Sequence, residues 1–262
     1  MTAMPNRLDE IIAFKRRELD AIKRTQSISK LERAFKDRTD HRSFRKAIRQ
    51  DGKLSLIAEF KRVSPSAGPI RPGADAVEVC RLYQEAGAAA LSVLTDSAFF
   101  GGSLQDLTKV RQEVHLPVLR KDFILEEYQI VEAAAAGADA LLLIVAALEI
   151  NQLKLLQRLT IDMKMTPLVE VHSDLELNDA LEAGATVIGI NNRNLKTLEI
   201  DLTVMERLRR VIPPDKTVIG ESGLRSRADV DRVRRLGMNA VLIGEELLSA
   251  PDIKQRVKEM MN

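Results

Sequence analysis

The chain has 262 residues, the length of one large domain or two small ones, with 45% hydrophobic and 30% charged residues, as in soluble enzymes. Its single Cys excludes an intramolecular disulfide, and one Cys with three scattered His argues against a metal site. The longest apolar run, residues 140–148, is too short to span a bilayer, and the amino terminus lacks the apolar core of a signal peptide. We therefore expect a cytoplasmic protein that is neither membrane-bound nor dependent on a metal.

The net charge of +2 conceals an uneven distribution. Residues 1–50 hold 14 Lys and Arg against 7 Asp and Glu, a net charge of +7, which leaves −5 for residues 51–262. Such a segment is typical of a nucleic-acid arm, a membrane-surface helix or a lid that attracts an anion. Its three Phe are spaced as in a hydrophobic core, so we expect no nucleic-acid partner and interpret the segment as a cationic lid.

The same 50 residues show helical periodicity in their apolar positions. No linker rich in Pro, Gly or Ser follows them. We predict a single domain in which residues 1–50 form a helical extension of two or three helices that caps the rest, residues 51–262. The apolar stripes that predict these helices are Leu8, Ile11, Ile12, Leu19 and Ile22, then Leu31 with Phe35, then Phe44 with Ile48.

A repeating unit organises residues 51–262. Near Gly87, Gly137, Gly184 and Gly237 a helical stretch ends in glycine and leads directly into an apolar run, which is typical of a helix followed by a strand. Eight units of a predicted strand followed by a helical pattern favour an α/β fold of the (β/α)8 TIM-barrel type with an N-terminal helical extension, rather than an open doubly wound sheet. The predicted strands lie near 55–60, 90–95, 117–121, 139–145, 167–171, 186–191, 217–221 and 239–244.

Polar side chains follow the ends of most predicted strands, which is where barrel enzymes build their active sites. A ring of alternating Lys and Glu at this end suits proton transfer, because close opposite charges tune the pKa of each group. Residues two apart point to the same side of a strand, so neighbouring pairs can both face inward. These strand-end residues are Glu59 and Lys61, Asp96, Lys121, Glu170, Asn191 and Arg193, and Glu221 and Ser222.

Glycine and serine residues in three loops predict a phosphorylated small-molecule substrate. Ser222 and Gly223 follow the seventh strand, Gly244 and Glu245 follow the eighth, and Ser64 lies in the first loop. Loops after strands seven and eight of many barrels bind phosphate through backbone N–H groups. Glu245 fits this site only through its backbone, with its carboxylate turned outward.

Five phrases in this order resemble the indole-3-glycerol phosphate synthase family. They are IAEFKRVSPS at 57–66, LRKDF at 119–123, VEVH at 169–172, IGINNRNL at 188–195 and ESG at 221–223. The resemblance covers essentially the whole chain, including the N-terminal helices. It implies a lyase of tryptophan biosynthesis that needs no cofactor. That enzyme closes the ring of 1-(2-carboxyphenylamino)-1-deoxyribulose 5-phosphate and releases CO₂ and water.

The resemblance also implies roles for individual residues. Lys121 matches the general acid that protonates the substrate carbonyl, and Glu170 matches the acid/base of the later steps. Lys61 matches the lysine that contacts the substrate carboxylate and donates a proton in dehydration, while Glu59 and Asn191 match residues that position hydroxyls and lysines. The predicted substrate-binding residues are Arg193 for the carboxylate, Ser64, Ser222, Gly223, Gly244 and Glu245 for the phosphate, and Phe123, Pro65, Leu142 and Leu195 for the ring.

Another phosphosugar barrel, such as a phosphoribosylanthranilate isomerase or an epimerase, is the nearest alternative. Such an isomerase is expected to use a Cys and an Asp, whereas Cys80 lies on a helical apolar face. A nucleic-acid-binding protein that uses the basic segment is the remote alternative. His172 follows a predicted strand and is interpreted as a loop imidazole, and we expect a monomer.

Overall fold

The computed structural model describes residues 6–36 and 38–262, in which eight parallel strands close into a barrel. Each strand pairs with the next along the chain, and the eighth pairs with the first. The predicted fold class is confirmed, and each predicted strand end lies within one residue of the observed end. The strands are β1 (Ser55–Phe60), β2 (Ala90–Leu94), β3 (Val118–Lys121), β4 (Ala140–Ile144), β5 (Thr166–Val171), β6 (Val187–Asn191), β7 (Thr217–Glu221) and β8 (Ala240–Ile243).

Helices surround the barrel and precede it. Gly87 and Gly137, which end two of them, have φ of 93° and 95°, the left-handed conformation that the glycine pattern predicts. A short hairpin, Val63–Ser64 with Gly68–Pro69, lies in the loop after β1. The helices are α1 (Arg7–Thr25), α2 (Ile28–Lys36), α3 (Phe44–Ile48), α4 (Ala76–Glu85), α5 (Ser97–Phe100), α6 (Leu104–Glu113), α7 (Glu127–Ala135), α8 (Ile150–Asp162), α9 (Asp174–Glu182), α10 (Thr203–Arg209), α11 (Arg227–Arg235), α12 (Glu245–Leu248) and α13 (Ile253–Met261), with a 3₁₀ turn at Val145–Ala147.

The hydrophobic core has two main layers and a small third cluster between α1, α2 and α7. The larger layer packs the outer faces of the strands against the helices. The smaller layer fills the inside of the barrel with residues such as Ile57, Leu119 and Leu168, all fully buried. Apolar residues of the first 50 positions join this inner layer, including Leu8 from α1 and Phe44 from α3. Within the described residues, no helix is long and apolar enough to cross a membrane.

The N-terminal segment reaches both ends of the barrel. Leu8 and Ile11 of α1 line the cleft at the carboxyl ends of the strands. At the opposite end, Arg38 Nη2 lies 2.9 Å from Oδ1 of the buried Asp139, just before β4. Arg45 donates a hydrogen bond to Thr217 Oγ1 at the start of β7, at 3.2 Å. The boundary at residue 50 remains a prediction.

The interpretation of this segment as a cationic lid is wrong for the basic residues between positions 38 and 49. Arg38, Arg42, Arg45 and Arg49 bind carbonyl oxygens and side chains near the amino ends of the strands, away from the cleft. Fixed donors at these positions satisfy backbone acceptors that the strands leave unpaired. Periodicity predicted the helices but carries no information on which end of the barrel each one covers.

Candidate active site

The structure brings all fifteen residues predicted for the site into one cleft at the carboxyl ends of the strands. Residues that the prediction did not include also line it, among them Arg7 of α1, Phe100 of α5, Glu221 of β7 and Arg225. The fifteen are Lys121, Glu170, Lys61, Glu59, Asn191, Arg193, Ser222, Ser64, Gly223, Gly244, Glu245, Phe123, Pro65, Leu142 and Leu195.

Lys121 lies between two buried carboxylates at the centre of the cleft. It ends β3, and its Nζ lies 3.1 Å from Oε2 of Glu170 on β5 and 3.4 Å from Oε2 of Glu221 on β7. Burial opposes the charge of Lys121, but Glu170, Glu221 and Glu59 outweigh that effect and raise its pKa above the ordinary value. Lys121 is therefore an ammonium ion that can donate a proton or a hydrogen bond into the cleft.

The two carboxylates beside Lys121 differ in their surroundings. Burial raises the pKa of Glu221, and the nearby Glu170 and Glu59 raise it further, while Lys121 only partly offsets this. Burial also acts to raise the pKa of Glu170, but Lys121 and His172 reverse the effect and hold it below the ordinary value. Pairs of carboxyls with opposed pKa shifts are typical of acid/base sites.

Glu221 was predicted only as a polar strand end, with no role in binding or catalysis assigned to it. It is 1% exposed, and among the described residues neither of its carboxylate oxygens has a hydrogen-bond partner. In the sequence it was marked only by its position at the end of β7 and by the ESG phrase at 221–223. These signals do not distinguish an inward carboxylate beside Lys121 from a solvated one.

A second ion pair, between Lys61 and Glu59, lies on the β1 side of the cleft. Lys61 Nζ is 2.9 Å from Oε1 of Glu59, and Lys61 remains 16% exposed while Glu59 is nearly buried. Across the cleft, Arg193 donates its backbone N–H to Oδ1 of Asn191 at 2.9 Å and its Nη1 to the carbonyl of Leu198 at 3.1 Å. Arg193 donates no other side-chain hydrogen bond to the described residues, so the remaining guanidinium nitrogens of this half-buried residue are available for a ligand.

Apolar side chains form one wall of the cleft. Phe123 is 7% exposed, and its ring centroid lies 6.2 Å from that of Phe100. Pro65, Leu142 and Leu195 line the same cleft. Aromatic and aliphatic walls of this kind bind flat apolar rings, which polar residues around them then orient.

The loop after β7 presents backbone groups to the cleft. Ser222 and Gly223 both have left-handed backbone, with φ of 62° and 78°. Asn192 Nδ2 donates hydrogen bonds to the carbonyls of Glu221 and Ser222, at 2.9 and 3.0 Å, which holds the loop in this conformation. Successive backbone turns of this type expose N–H groups that bind anions.

His172 lies in the loop directly after β5, as interpreted from the sequence, but its imidazole also contacts the site. Its Nε2 lies 3.2 Å from Oε1 of Glu170, and its Nδ1 lies 2.8 Å from Oε2 of Glu176. Burial opposes protonation of the ring, but these two carboxylates raise the pKa of His172 to about 9. The sequence placed His172 two positions after Glu170, the spacing at which side chains share one side of a strand.

A buried charge network joins α1 to the strand ends beneath Lys121. Lys15 is 3% exposed, and its Nζ lies 2.8 Å from Oδ2 of Asp96 and 3.0 Å from Oδ1 of Asp122. Asp122 follows Lys121 directly and also pairs with Arg120 at 3.2 Å. The network therefore fixes α1 to the same turn that carries Lys121.

In the parts of the chain described, no group of three or more His, Cys, Asp or Glu could hold a metal ion.

Replacing Gly189 with Ala is expected to lower kcat by about 10²-fold with little loss of stability. A Cβ at this position of β6 would lie 2.1 Å from Oε1 of Glu221, so the carboxylate must swing away from Lys121. The displaced atom is the end of a flexible side chain, so the fold can accommodate it. Steady-state kinetics and thermal unfolding check this together, and unchanged kcat would show that the position of Glu221 is unimportant.

Comparison with known proteins identifies relatives over nearly the whole chain. The family model described as indole-3-glycerol phosphate synthase matches residues 8–260. A protein of that name from Dehalococcoides mccartyi is 49% identical over 211 residues, which cover 79% of this chain and 82% of the relative. Another, from Chlorobium chlorochromatii, is 43% identical over 252 residues, which cover 95% of this chain and 98% of the relative.

Solved structures with low sequence identity share the fold. A 3-hexulose-6-phosphate synthase from Salmonella typhimurium is 13% identical and superposes with a TM-score of 0.65 over 79% of this chain and 97% of its own. A chain of the tryptophan synthase complex from Pyrococcus furiosus is 16% identical, with a TM-score of 0.59 over 79% of this chain and 97% of its own. At these identities the likeness concerns the barrel alone.

Proposed function

Since the chain belongs to the indole-3-glycerol phosphate synthase family, we propose that it is the lyase that converts 1-(2-carboxyphenylamino)-1-deoxyribulose 5-phosphate into indole-3-glycerol phosphate, CO₂ and water. The observation that carries the proposal is the Lys121 ammonium between two buried carboxylates, next to an apolar wall. Ring closure places negative charge on the substrate carbonyl oxygen, so a fixed cation at that point stabilises the transition state.

The charges around the cleft match this substrate, which carries a phosphate at one end and a carboxylate on its ring. Arg193 lies near the apolar wall, where its free guanidinium nitrogens suit the carboxylate. The phosphate would lie against Ser64 and the backbone of Ser222, Gly223, Gly244 and Glu245. Phe123, Pro65, Leu142 and Leu195 would then enclose the anthranilate ring.

The proposed reaction begins with carbon–carbon bond formation. Lys121 donates a proton from Nζ to the carbonyl oxygen as the ring carbon that bears the carboxylate attacks the carbonyl carbon. The C–C bond to the carboxylate then breaks, and its electron pair neutralises the iminium nitrogen and restores the aromatic ring. CO₂ leaves without a cofactor because the ring itself is the electron sink.

Dehydration completes the reaction. Lys61 protonates the leaving hydroxyl, while Glu170 accepts the proton from the carbon next to the ring nitrogen. Two protons are given and one is accepted, so each turnover takes up one proton from solvent, as loss of a carboxylate as neutral CO₂ requires. Glu59 would orient Lys61, to which it is paired at 2.9 Å, and Asn191 would orient substrate hydroxyls.

Indole fluorescence tests the proposal directly. The chain contains no Trp, so the background emission is low. The purified protein, given the carboxyphenylamino-deoxyribulose phosphate, should produce indole-3-glycerol phosphate, measured by its indole emission, and CO₂ in equal molar amounts. Absence of both products with an intact fold would refute the proposed function.

The isomerase alternative lacks support, because Cys80, the only Cys in the sequence, is buried in α4.

The proposal includes a monomeric enzyme of the cytoplasm that binds no nucleic acid. The substrate is a small anion, and the Arg residues between positions 38 and 49 are engaged by the barrel itself. Light scattering of the purified protein tests the monomer. Titration with duplex DNA at 0.15 M salt tests the absence of nucleic-acid binding. Salt-dependent binding at that concentration would support the nucleic-acid alternative.

A further inference from the structure

Two buried carboxylates share Lys121, and this sharing alone does not determine which of them is ionised. Lys121 Nζ lies at nearly equal distances from Glu170 and Glu221, 3.1 and 3.4 Å. Two carboxyls that share one cation in a dry site hold a proton between them over a wide pH range. The acid/base role of Glu170 under the proposed function, on which this inference rests, requires that the proton be on the other residue.

His172 breaks the symmetry of this pair. Its Nε2 lies 3.2 Å from Oε1 of Glu170, the oxygen that Lys121 does not contact most closely. That nitrogen is buried and has no well-aligned hydrogen bond to any of the described residues, so its contact with Glu170 is one of charge. The charged and titratable groups that face Glu170 are Lys121 from β3, Glu221 from β7 and His172 from the loop after β5.

Glu176 holds His172 from the opposite side. This residue of α9 lies 2.8 Å from Nδ1 through its Oε2, and the same oxygen accepts the backbone N–H of His172 at 2.9 Å. Two bonds to one carboxylate oxygen fix both the position and the plane of the ring. The side chain of Glu176 is 21% exposed, whereas that of Glu170 is 1% exposed, so only Glu176 keeps contact with solvent.

We propose that His172, held by Glu176, is a positioning residue that keeps Glu170 ionised and so directs the proton of the carboxylate pair onto Glu221. The imidazolium adds a second cation to Glu170 and none to Glu221. Glu170 is then the carboxylate that can accept the proton from carbon during dehydration. Glu221, which carries the proton of the pair, lies on the other side of Lys121 and does not act as a base. The opposed pKa shifts of the two carboxyls and the raised pKa of His172 agree with this assignment.

The histidine itself can be titrated without substrate. The chain has only three His, so the ring resonances can be assigned by single substitutions. We expect His172 to titrate near pH 9 in the wild type. Removing one of its two carboxylate partners with Glu176→Gln should lower that pKa by about one unit or more. Titration of wild-type His172 near 6.5, or the same value in both proteins, would overturn the proposal.

The pH dependence of kcat then tests the effect on Glu170. In His172→Asn the acidic limb of the kcat profile should move to higher pH by about one unit or more, because Glu170 has lost a cation and protonates more readily. KM should change little, and Glu176→Gln should show a smaller shift in the same direction. The matched control is His115→Asn, at an exposed loop position, whose profile should superimpose on that of the wild type.

The outcomes separate this inference from the proposed function. If His172→Asn and the wild type have superimposable profiles, or if activity falls equally at all pH values, His172 does not set the ionisation of Glu170 and the inference is wrong. If the wild type forms no indole at all, the proposed function fails. The NMR titration still decides in that case whether Glu176 and Glu170 hold His172 as an imidazolium.

Discussion

Lys121→Met should lower kcat by about 10²–10⁴-fold, the range for loss of a positioned proton donor, and leave the chain folded. Met keeps the length of the side chain but removes the ammonium that faces both Glu170 and Glu221. The loss should fall on kcat more than on KM, because the charge on the carbonyl oxygen develops only in the transition state. The continuous indole assay measures both constants.

Lys154→Met is the matched control for this substitution. Lys154 is an exposed lysine of α8 that is paired with Glu182 at 2.8 Å, so it also loses a carboxylate contact when it is replaced. The activity of the Lys154→Met variant should equal that of the wild type. Circular dichroism should show that both variants are folded, and wild-type turnover in Lys121→Met would remove Lys121 from the mechanism.

Lys15→Met should lower the free energy of unfolding by about 3–5 kcal/mol, as expected when one partner of a buried ion network is removed. Asp96 and Asp122 would both lose the cation that lies within 3.0 Å of them. Arg120 would remain beside Asp122, but the contacts of Asp96 with charged groups would be lost. Urea unfolding followed by circular dichroism measures the difference, and Lys30→Met, an exposed position on α2, should change stability by less than about 0.5 kcal/mol.

The pH dependence of this difference follows from the two pKa shifts. The pKa of Lys15 is raised in the folded protein, so its contribution is fully present below the ordinary Lys value and is lost only at strongly alkaline pH. The pKa of Asp122 is lowered despite burial, because Lys15 and Arg120 lie beside it. Its contribution is present above its ordinary value of 3.8 and is lost as the pH falls.

The gap in stability between Lys15→Met and the wild type should therefore be complete at neutral pH and should narrow below about pH 4. A gap that stays constant down to pH 3 would show that the methionine disturbs packing rather than charge. A gap of less than about 1 kcal/mol at pH 7 would show that α1 is held by its apolar contacts alone.

The sequence predicted the barrel because its signals are local. Each strand is a short apolar run, and four of the helices that follow end at a glycine with left-handed backbone, namely Gly87, Gly137, Gly184 and Gly237. The place of Lys121 and Glu170 in the site could also be predicted, because side chains at the carboxyl ends of the strands converge in any closed barrel. The resemblance to a known family then supplied the roles that the pattern alone leaves open.

The contacts that tune the site could not be predicted, because they join distant parts of the chain. Glu221 lies 100 residues after Lys121 in the sequence, and only closure of the barrel brings the two side chains together. Lys15 reads as one of several basic residues on a helix, and its burial depends on two aspartates that follow β2 and β3. His172 lies in a loop, as interpreted, but its sequence position does not show that α9 supplies the carboxylate that holds it.

The attachment of the first 50 residues to both ends of the barrel bears on the order of events during synthesis. These residues leave the ribosome before the strands that they contact, and Asp215 and Thr217, which accept hydrogen bonds from Arg45 and Arg49, are made about 170 positions later. Until the last strands are made, residues such as Leu8 of α1 and Phe44 of α3, which pack inside the closed barrel, lack part of their cover. The nascent chain therefore carries a basic segment with partly exposed apolar faces through most of translation, and incomplete folds of this kind expose the apolar surface that chaperones bind.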